Sequence, residues 1–390
     1  RGKGRIEINS KLSIENNFSM DYSKYRYPLL SYTDDLVQRN LEHQGFPVAI
    51  MFNPDGTYTH SSLYNGVGDF HQKNSFQDDN TLTVRNTVGF TYSPIIDILT
   101  FKGDFTYNYK DYQRTRVNRY HTYSEGPGLI GTRGQSLRRM WNQETNYIAG
   151  NLTANFMPKI SEDHSLNILI GGNYESSERR NIYNRRDNYL YPEKPNFILM
   201  DGQNYVLEER SSDWVFLGAF FRANYAYKGK YLFEMSGRHD GSSKFPSNEQ
   251  WGFFPSASIG WRISDENFMD GTHHWLDNMK VRFSVGTLGN GNVAPYSFLE
   301  LMDVSKTSLL LGGGFQTYTS LPTMVPANLT WEKATTYNLG LDIDMFRARF
   351  NIGIDVYRRN TTDMYVAGPD LPQVLGVSAP KGNYASLKTE

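Results

Sequence analysis

Apolar and polar residues alternate one for one along much of this 390-residue chain. In 336–345, for example, Leu339 and Leu341 belong to an apolar row, while Asp342 and Asp344 belong to the polar row between them. Successive side chains of a β-strand point to opposite faces, whereas on a helix these two rows would intermingle. Because the same period recurs from end to end, the pattern predicts an all-β protein.

The alternating segments predict about eleven strands, with a twelfth beginning near Lys381. These segments cover 6–15, 82–90, 99–110, 148–156, 166–175, 214–227, 231–240, 252–263, 280–288, 336–345 and 350–356.

The connections between these strands fall into two classes that alternate along the chain. The short ones are Ser93–Asp97, Pro158–Asp163, Lys228–Lys230 and Phe346–Ala348. The long ones cover 17–79, 111–141, 181–210, 289–333 and 363–380, with a shorter member at 241–250; the connection 264–278 is a longer one on the short-turn side. Short turns at one end and long loops at the other are typical of an antiparallel up-and-down β-barrel in an outer membrane, with long extracellular loops.

The polar rows support a transmembrane barrel. Carboxylates such as Asp342 and Asp344 are costly in lipid, so in a barrel these rows line a wet lumen. A water-soluble sheet with one buried face would show the same alternation, and it remains the alternative.

Composition removes several other classes of protein. The net charge of −1 gives no attraction for nucleic acid, and no apolar run approaches the ~20 residues of a membrane-spanning helix. With no cysteine there are no disulfides or thiolate sites. Neighbouring residues point apart on a strand, so neither His273 with His274 nor His239 with Asp240 predicts a metal site or a catalytic pair. We therefore expect no enzymatic activity, cofactor or metal.

Aromatic residues in the long connections are the candidate ligand-binding residues. Rings stack on sugar faces while nearby amides and charges bond hydroxyl groups, so this composition suits an oligosaccharide, and nearly as well a peptide. Packing of the loops on one another or on a partner protein is the competing interpretation. The candidate substrate-binding residues are Tyr58, Tyr64, Phe70, Tyr120, Tyr123, Trp141, Tyr189 and Tyr191.

The stretch 231–269, YLFEMSGRHDGSSKFPSNEQWGFFPSASIGWRISDENFM, closely resembles a characteristic segment of SusC/RagA-type TonB-dependent transporters of Bacteroidota. Three further stretches resemble the blocks that follow in that family, in the same order: KVRFSVGTLGN at 280–290, NLTWEKATTYNLGLD at 328–342 and DVYRRNTTDM at 355–364. The resemblance is strong over about 231–390 and weaker before it.

The resemblance implies a barrel of about 22 strands in the cell outer membrane, plugged by an N-terminal domain that carries a TonB box. It implies import of oligosaccharides or, in some members, peptides, together with TonB and a SusD-like surface lipoprotein, and a dimer of such pairs. The resemblance assigns a catalytic role to no residue of this sequence. We expect residues 1–390 to be one partial barrel domain, without the plug, the TonB box or the C-terminal strands.

Two rival functions follow from the same β pattern. One is a secreted all-β glycan-binding module or glycosidase, and the other is a passive porin. Detergent dependence would separate the first rival from a barrel, and a plug domain would separate a porin from a transporter.

Overall fold

The computed structural model describes residues 1–30, 48–64, 66–201, 204–372, 374 and 379–390. Its main element is an antiparallel sheet of 13 strands in which each strand pairs with its neighbours in chain order. These strands are β1 (Gly2–Asn9), β2 (Leu12–Pro28), β3 (Phe76–Ile95), β4 (Leu99–Asn118), β7 (Leu137–Phe156), β8 (His164–Asp187), β9 (Tyr205–Tyr227), β10 (Tyr231–Ser242), β11 (Trp251–Arg262), β12 (Leu276–Asn290), β15 (Glu332–Met345), β16 (Phe350–Val366) and β17 (Gly382–Thr389).

Smaller elements lie within the connections. Two hairpins extend from the long loops: β5 (His121–Gly126) with β6 (Leu129–Arg133), and β13 (Val304–Leu311) with β14 (Gly314–Thr319). Among the described residues before β3 there are two short helices, α1 (His60–Tyr64) and α2 (Val67–Gln72). The described part of the chain also contains 3-10 helices at Phe197–Leu199, Ile263–Asp265 and Asn267–Thr272.

The register gives the sheet one apolar and one polar face. Directly opposed residues of antiparallel strands share a face, and Leu339 opposes Phe283 on one side and Val356 on the other. These three side chains are 54%, 42% and 67% exposed. Asp342 lies on the other face, opposite Lys280 and Gly353. An apolar face left this bare by protein requires an apolar environment.

The apolar face extends over only part of each long strand. In β8, Ile168, Ile170 and Tyr174 lie on this face near the short turn, but Glu178 and Arg180 occupy it further up. Arg180 forms an ion pair there with Glu209, at 2.6 Å between Nε and Oε1. The ends of the strands that carry the long loops therefore rise above the apolar band into water.

A cluster of buried apolar side chains lies among the loops, at the ends of the strands that carry them. It consists of Phe245, Phe254, Val293, Leu329 and Trp331. The indole N–H of Trp331 donates to the carbonyl of Gln250 at 3.1 Å. This cluster fixes the connection between β10 and β11 against the connection between β12 and β15.

The fold differs from the sequence-based expectation in three respects. The segment 6–15 is a hairpin rather than one strand, because the Asn9 carboxamide accepts hydrogen bonds from the backbone N–H groups of Lys11 and Leu12 and turns the chain. The sheet therefore has 13 strands, more than the eleven or twelve predicted. Many strands are also longer than predicted and the loops correspondingly shorter, since β4 extends to Asn118 and β7 begins at Leu137.

No helix in the described part of the chain is long and apolar enough to cross a membrane.

Candidate functional site

A cavity of about 740 Å³ opens on the polar face, where β9 and β10 approach the long loops. Its lining combines aromatic rings and cations, chiefly Trp214, Phe216, Phe220, Arg238 and Lys244. Trp214, Phe216 and Phe220 occupy alternate positions of β9, so its alternation places them all on the polar face. Aromatic rings on a face that is otherwise polar mark this cavity as a place where ligand contacts can form.

Arg238 lines the cavity and is held by several contacts. Its Nε donates to Asp240 and its Nη2 to the Asn173 carboxamide, each at 2.6 Å. The guanidinium also lies 5.6 Å and 5.4 Å from the ring centroids of Phe216 and Phe220. Two hydrogen bonds and two ring contacts fix the orientation of this cation.

Gly218 makes room for this network. A Cβ on Gly218 would lie 2.4 Å from both Arg238 Nη2 and Asp240 Oδ1 and 2.5 Å from Asn173 Oδ1. The three side chains therefore lie directly over the backbone of β9, and the glycine is required for this close approach.

Lys244 contributes another cation, from the loop that follows β10. Its Nζ lies 4.8 Å from the centroid of the Trp214 ring. Burial lowers the pKa of the Lys244 ammonium from its ordinary value. The next residue, Phe245, is fully buried in the loop cluster, so the position of Lys244 is anchored by its neighbour.

Glu175 is the acidic group that lines the cavity from β8. It accepts a hydrogen bond of 2.9 Å from the Tyr147 hydroxyl, and the Tyr147 ring lies 6.4 Å from that of Trp214. Charges of both signs and several ring faces can hold a polar organic molecule by stacking and hydrogen bonding. Within the described ranges, no group of three or more His, Asp or Glu side chains is arranged to hold a metal ion.

A second group of aromatic and charged residues lies further up the polar face and contains the predicted residue Trp141. The sequence placed Trp141 in a loop, but it lies in β7, where its ring packs 5.0 Å from that of Tyr183. Arg116 lies 5.6 Å from the Trp141 ring, and Arg114 is paired with Asp79 at 3.0 Å. Polar residues continue on both faces of the upper strands, which is why this part of β7 resembles a loop in the sequence.

Four of the predicted residues lie in one assembly formed by the first two long loops. The Tyr58 ring packs 5.2 Å from Phe52, and the Tyr123 ring lies 5.0 Å from His60. Phe70 and Tyr120 are exposed. The side chain of a fifth, Tyr64, lies outside the described residues. The Tyr58 ring therefore packs within the first loop and the Tyr123 ring packs against it from the second loop, while Phe70 and Tyr120 are exposed.

A buried histidine–aspartate contact supports this loop assembly. His121 and Asp69 are both fully buried, and His121 Nε2 lies 2.8 Å from Asp69 Oδ1. The pair joins α2 to β5. A buried polar pair of this kind positions loops and does not by itself indicate a ligand site.

The two predicted tyrosines of the third long loop have different surroundings. Tyr189 is buried with Val117 and Met200, and its hydroxyl donates to the Leu137 carbonyl at 2.9 Å. Burial raises the pKa of Tyr189. Tyr191 is 62% exposed. Tyr189 therefore stabilises the base of its loop, whereas the Tyr191 ring is accessible.

The sequence analysis did not identify the residues that form the cavity. Trp214, Phe216 and Phe220 lie within a strand, whereas the predicted ligand-binding residues all belong to predicted long connections. The signal was present as aromatic residues at alternate positions of the predicted strand 214–227, in the row that also carries Arg222 and Asn224. Arg238 and Lys244 could not be assigned to the same place, because the register of three strands brings them together.

An antiparallel sheet with a bare apolar face, a charged face and long loops at one end is the wall of an outer-membrane β-barrel. The chain belongs to the family described as TonB dependent receptor-like, beta-barrel, whose model matches residues 16–386. The predicted family and the outer-membrane location are thereby confirmed, and the polar face is the lumenal face. Members of this family are receptors and transporters rather than enzymes, as the sequence analysis predicted.

Curated relatives carry corresponding names. The chain is 27% identical over 347 residues to TonB-dependent receptor P3 of Formosa agariphila, covering 87% of this chain and 33% of that protein. It is 27% identical over 322 residues to TonB-dependent receptor SusC of Bacteroides thetaiotaomicron, covering 80% of this chain and 30% of that protein. The chain thus spans about a third of the length of these relatives.

Solved structures show the same fold. The RagAB peptide transporter superposes with a TM-score of 0.76 at 20% identity, covering 98% of this chain and 42% of the matched chain. The RagAB peptide importer in its closed-closed state gives a TM-score of 0.77 at 21% identity, with the same coverage. At this identity the likeness supports the barrel architecture and does not extend to the cargo.

Proposed function

We propose that this chain is part of a TonB-dependent importer that carries oligosaccharides, or peptides, across the outer membrane. The observation that carries the proposal is the lumenal cavity around Arg238, where ring faces and fixed charges meet on the wall of the barrel. A wall that only separated water from lipid would need no aromatic residues on its wet face. The cavity therefore serves as a contact point for cargo inside the barrel.

The proposal includes two protein partners. TonB supplies energy, and a SusD-like surface lipoprotein covers the long loops, as the likeness to SusC and to the RagAB peptide transporter supports. A dimer of such pairs and the assignment of residues 1–390 to a single barrel domain, completed by a plug and further strands, belong to the same proposal. The exposed loop rings Phe70, Tyr120 and Tyr191 are the surface through which cargo or lipoprotein is contacted.

Uptake by cells that express the full-length protein tests the proposal. We expect Trp214→Ala to lower cargo binding and uptake several-fold, because a stacked ring contributes about 0.5–1.5 kcal/mol. Trp251→Ala is the matched control, since Trp251 lies in β11 opposite Gly241 on the apolar face and is 51% exposed. The amount of folded protein should be equal for the two variants.

A strain without TonB provides the decisive comparison. Uptake should stop in that strain, because an active importer depends on energy from the inner membrane. Uptake that continues unchanged without TonB would show a passive porin instead. Equal losses of uptake for Trp214→Ala and Trp251→Ala would show that the cavity does not contact cargo during transport.

A further inference from the structure

Arg238 and Lys244, two of the three cations that line the lumenal cavity, differ in how they are neutralised. Arg238 is paired with Asp240 through Nε at 2.6 Å. The acidic group on the β8 side, Glu175, is occupied by the Tyr147 hydroxyl. Lys244 contacts the Trp214 ring, and among the described residues no carboxylate lies within ion-pair distance of its ammonium.

An unpaired, half-buried ammonium is unfavourable unless an anion pairs with it. Desolvation is the cause that lowers the Lys244 pKa, as expected for a cation that lacks a counter-ion. The indole face of Trp214 compensates in part, because a ring attracts a cation through its quadrupole. It leaves the other donors of the ammonium free.

The backbone holds Lys244 at this place. The N–H of the preceding residue, Ser243, donates to the Val215 carbonyl at 2.9 Å, and the Ser243 hydroxyl accepts from the Val215 N–H at 2.8 Å. Phe245, on the other side, lies 4.9 Å from the Trp331 ring within the loop cluster. Because both neighbours are held by these contacts, the backbone of Lys244 stays beside the cavity. Its ammonium is therefore available to a ligand in the cavity.

From this geometry we infer that Lys244 and Trp214 form a subsite for an acidic oligosaccharide, with a carboxylate or sulfate on Lys244 and a sugar ring beside the Trp214 and Phe216 rings. The inference rests on the proposed function, since it names the class of cargo for the same cavity. Aromatic faces beside a cation favour a charged sugar, because the flat face of a pyranose ring stacks while its acidic substituent reaches the ammonium.

Equilibrium binding to the full-length protein tests the subsite with two matched probes, tetragalacturonate and its fully methyl-esterified form. The wild-type protein should bind the acidic probe about tenfold or more tightly than the ester, because a hydrogen bond to a charged group is stronger than one to a neutral group. Lys244→Met should reduce that preference to near unity, and Lys244→Arg should retain most of it.

Lys228→Met is the control for removing a lysine that lies over a ring, since Lys228 Nζ is 5.5 Å from the Tyr227 centroid at the opposite end of the strand. It should leave the preference unchanged. Equal binding of the two probes by the wild-type protein, whether strong or absent, would overturn the inference. Tight binding of tetraglutamate but not of tetragalacturonate would overturn it in favour of an acidic peptide.

The proposed import function and the acidic subsite can be overturned independently of each other. If uptake depends on TonB while Lys244→Met leaves the preference between probes unchanged, the import function stands and the acidic subsite is overturned. If the preference follows Lys244 but uptake does not depend on TonB, active import is overturned and the subsite is retained as part of a passive channel.

Discussion

Leu341→Arg tests the assignment of the two faces of the sheet. Leu341 lies on the apolar face of β15, opposite Val281 and Ile354. It is four residues from Met345, where the strand ends at the short turn. At a rise of ~3.3 Å per residue and a strand tilt of ~40°, this places Leu341 roughly 10 Å above the turn. In an apolar band ~25 Å tall, that position is near the middle.

The expected cost follows from this depth. An arginine on the lipid face near the midplane destabilises a barrel by about 2–4 kcal/mol, which lowers the ratio of folded to unfolded protein about 30- to 1,000-fold. Its immediate cross-strand neighbours are apolar, so the guanidinium finds no acidic partner among them.

Gly353→Arg is the matched control in the paired strand β16. Gly353 opposes Asp342 on the polar face, and a Cβ there would meet only Asp342 Oδ1, at 3.9 Å. The new guanidinium therefore has space and an acidic neighbour, and we expect a change in stability below about 1 kcal/mol.

The assay is equilibrium unfolding of the full-length protein in detergent or lipid, with heat-modified migration on gels as a second measure of folded barrel. A large loss for Leu341→Arg beside a small one for Gly353→Arg is the expected result. Equal losses, or the reverse order, would refute the register and with it the distinction between lipid and lumen.

Three further predictions follow from other parts of the molecule. Protease added to intact cells should cut the loops 48–75 and 188–204 but not the turn 157–163. Labelling of that turn from outside would show that the topology is the opposite of the one assigned. Tyr189→Phe should destabilise the base of the third loop by about 1–3 kcal/mol, because it leaves the buried Leu137 carbonyl without its donor; hydrogen exchange in 188–204 should rise while cargo binding stays constant. The Trp261 indole N–H, together with the Tyr231 hydroxyl, lowers the pKa of Glu266 in the connection between β11 and β12. The contribution of the Glu266 carboxylate to stability is therefore fully present above the pKa of the unfolded state and is lost as pH falls through the lower pKa of the folded state. Glu266→Gln should remove this acid dependence from thermal unfolding.

Much of the barrel wall follows from the sequence alone. Alternation is a local property, since each side chain of a strand points away from its neighbour, so the facing of Leu339, Leu341 and Asp342 could be predicted without knowing any partner strand. The order of short and long connections likewise predicted the up-and-down pairing. The β1–β2 hairpin escaped prediction because the turn after Asn9 preserves the alternation on both sides of it.

The upper ends of the strands could not be predicted from this signal. Above the apolar band both faces of a strand meet water, so alternation fades, and the part of β7 that carries Trp141 looks like a loop. The pairing of β7 with Arg114 and Arg116 of β4 on one side, and with Tyr183 of β8 on the other, shows that the strand continues there.

The candidate site depends entirely on tertiary structure. Asn173, Gly218, Arg238 and Lys244 lie on three strands and one loop, and their contacts exist because the register aligns Asn173 with Gly218 and Gly218 with Asp240. The sequence determined which residues face the lumen, since that choice is made residue by residue along each strand. Which of them meet was decided by pairing between strands, because a shift of one strand along its neighbour would separate these groups while leaving the alternation within each strand unchanged.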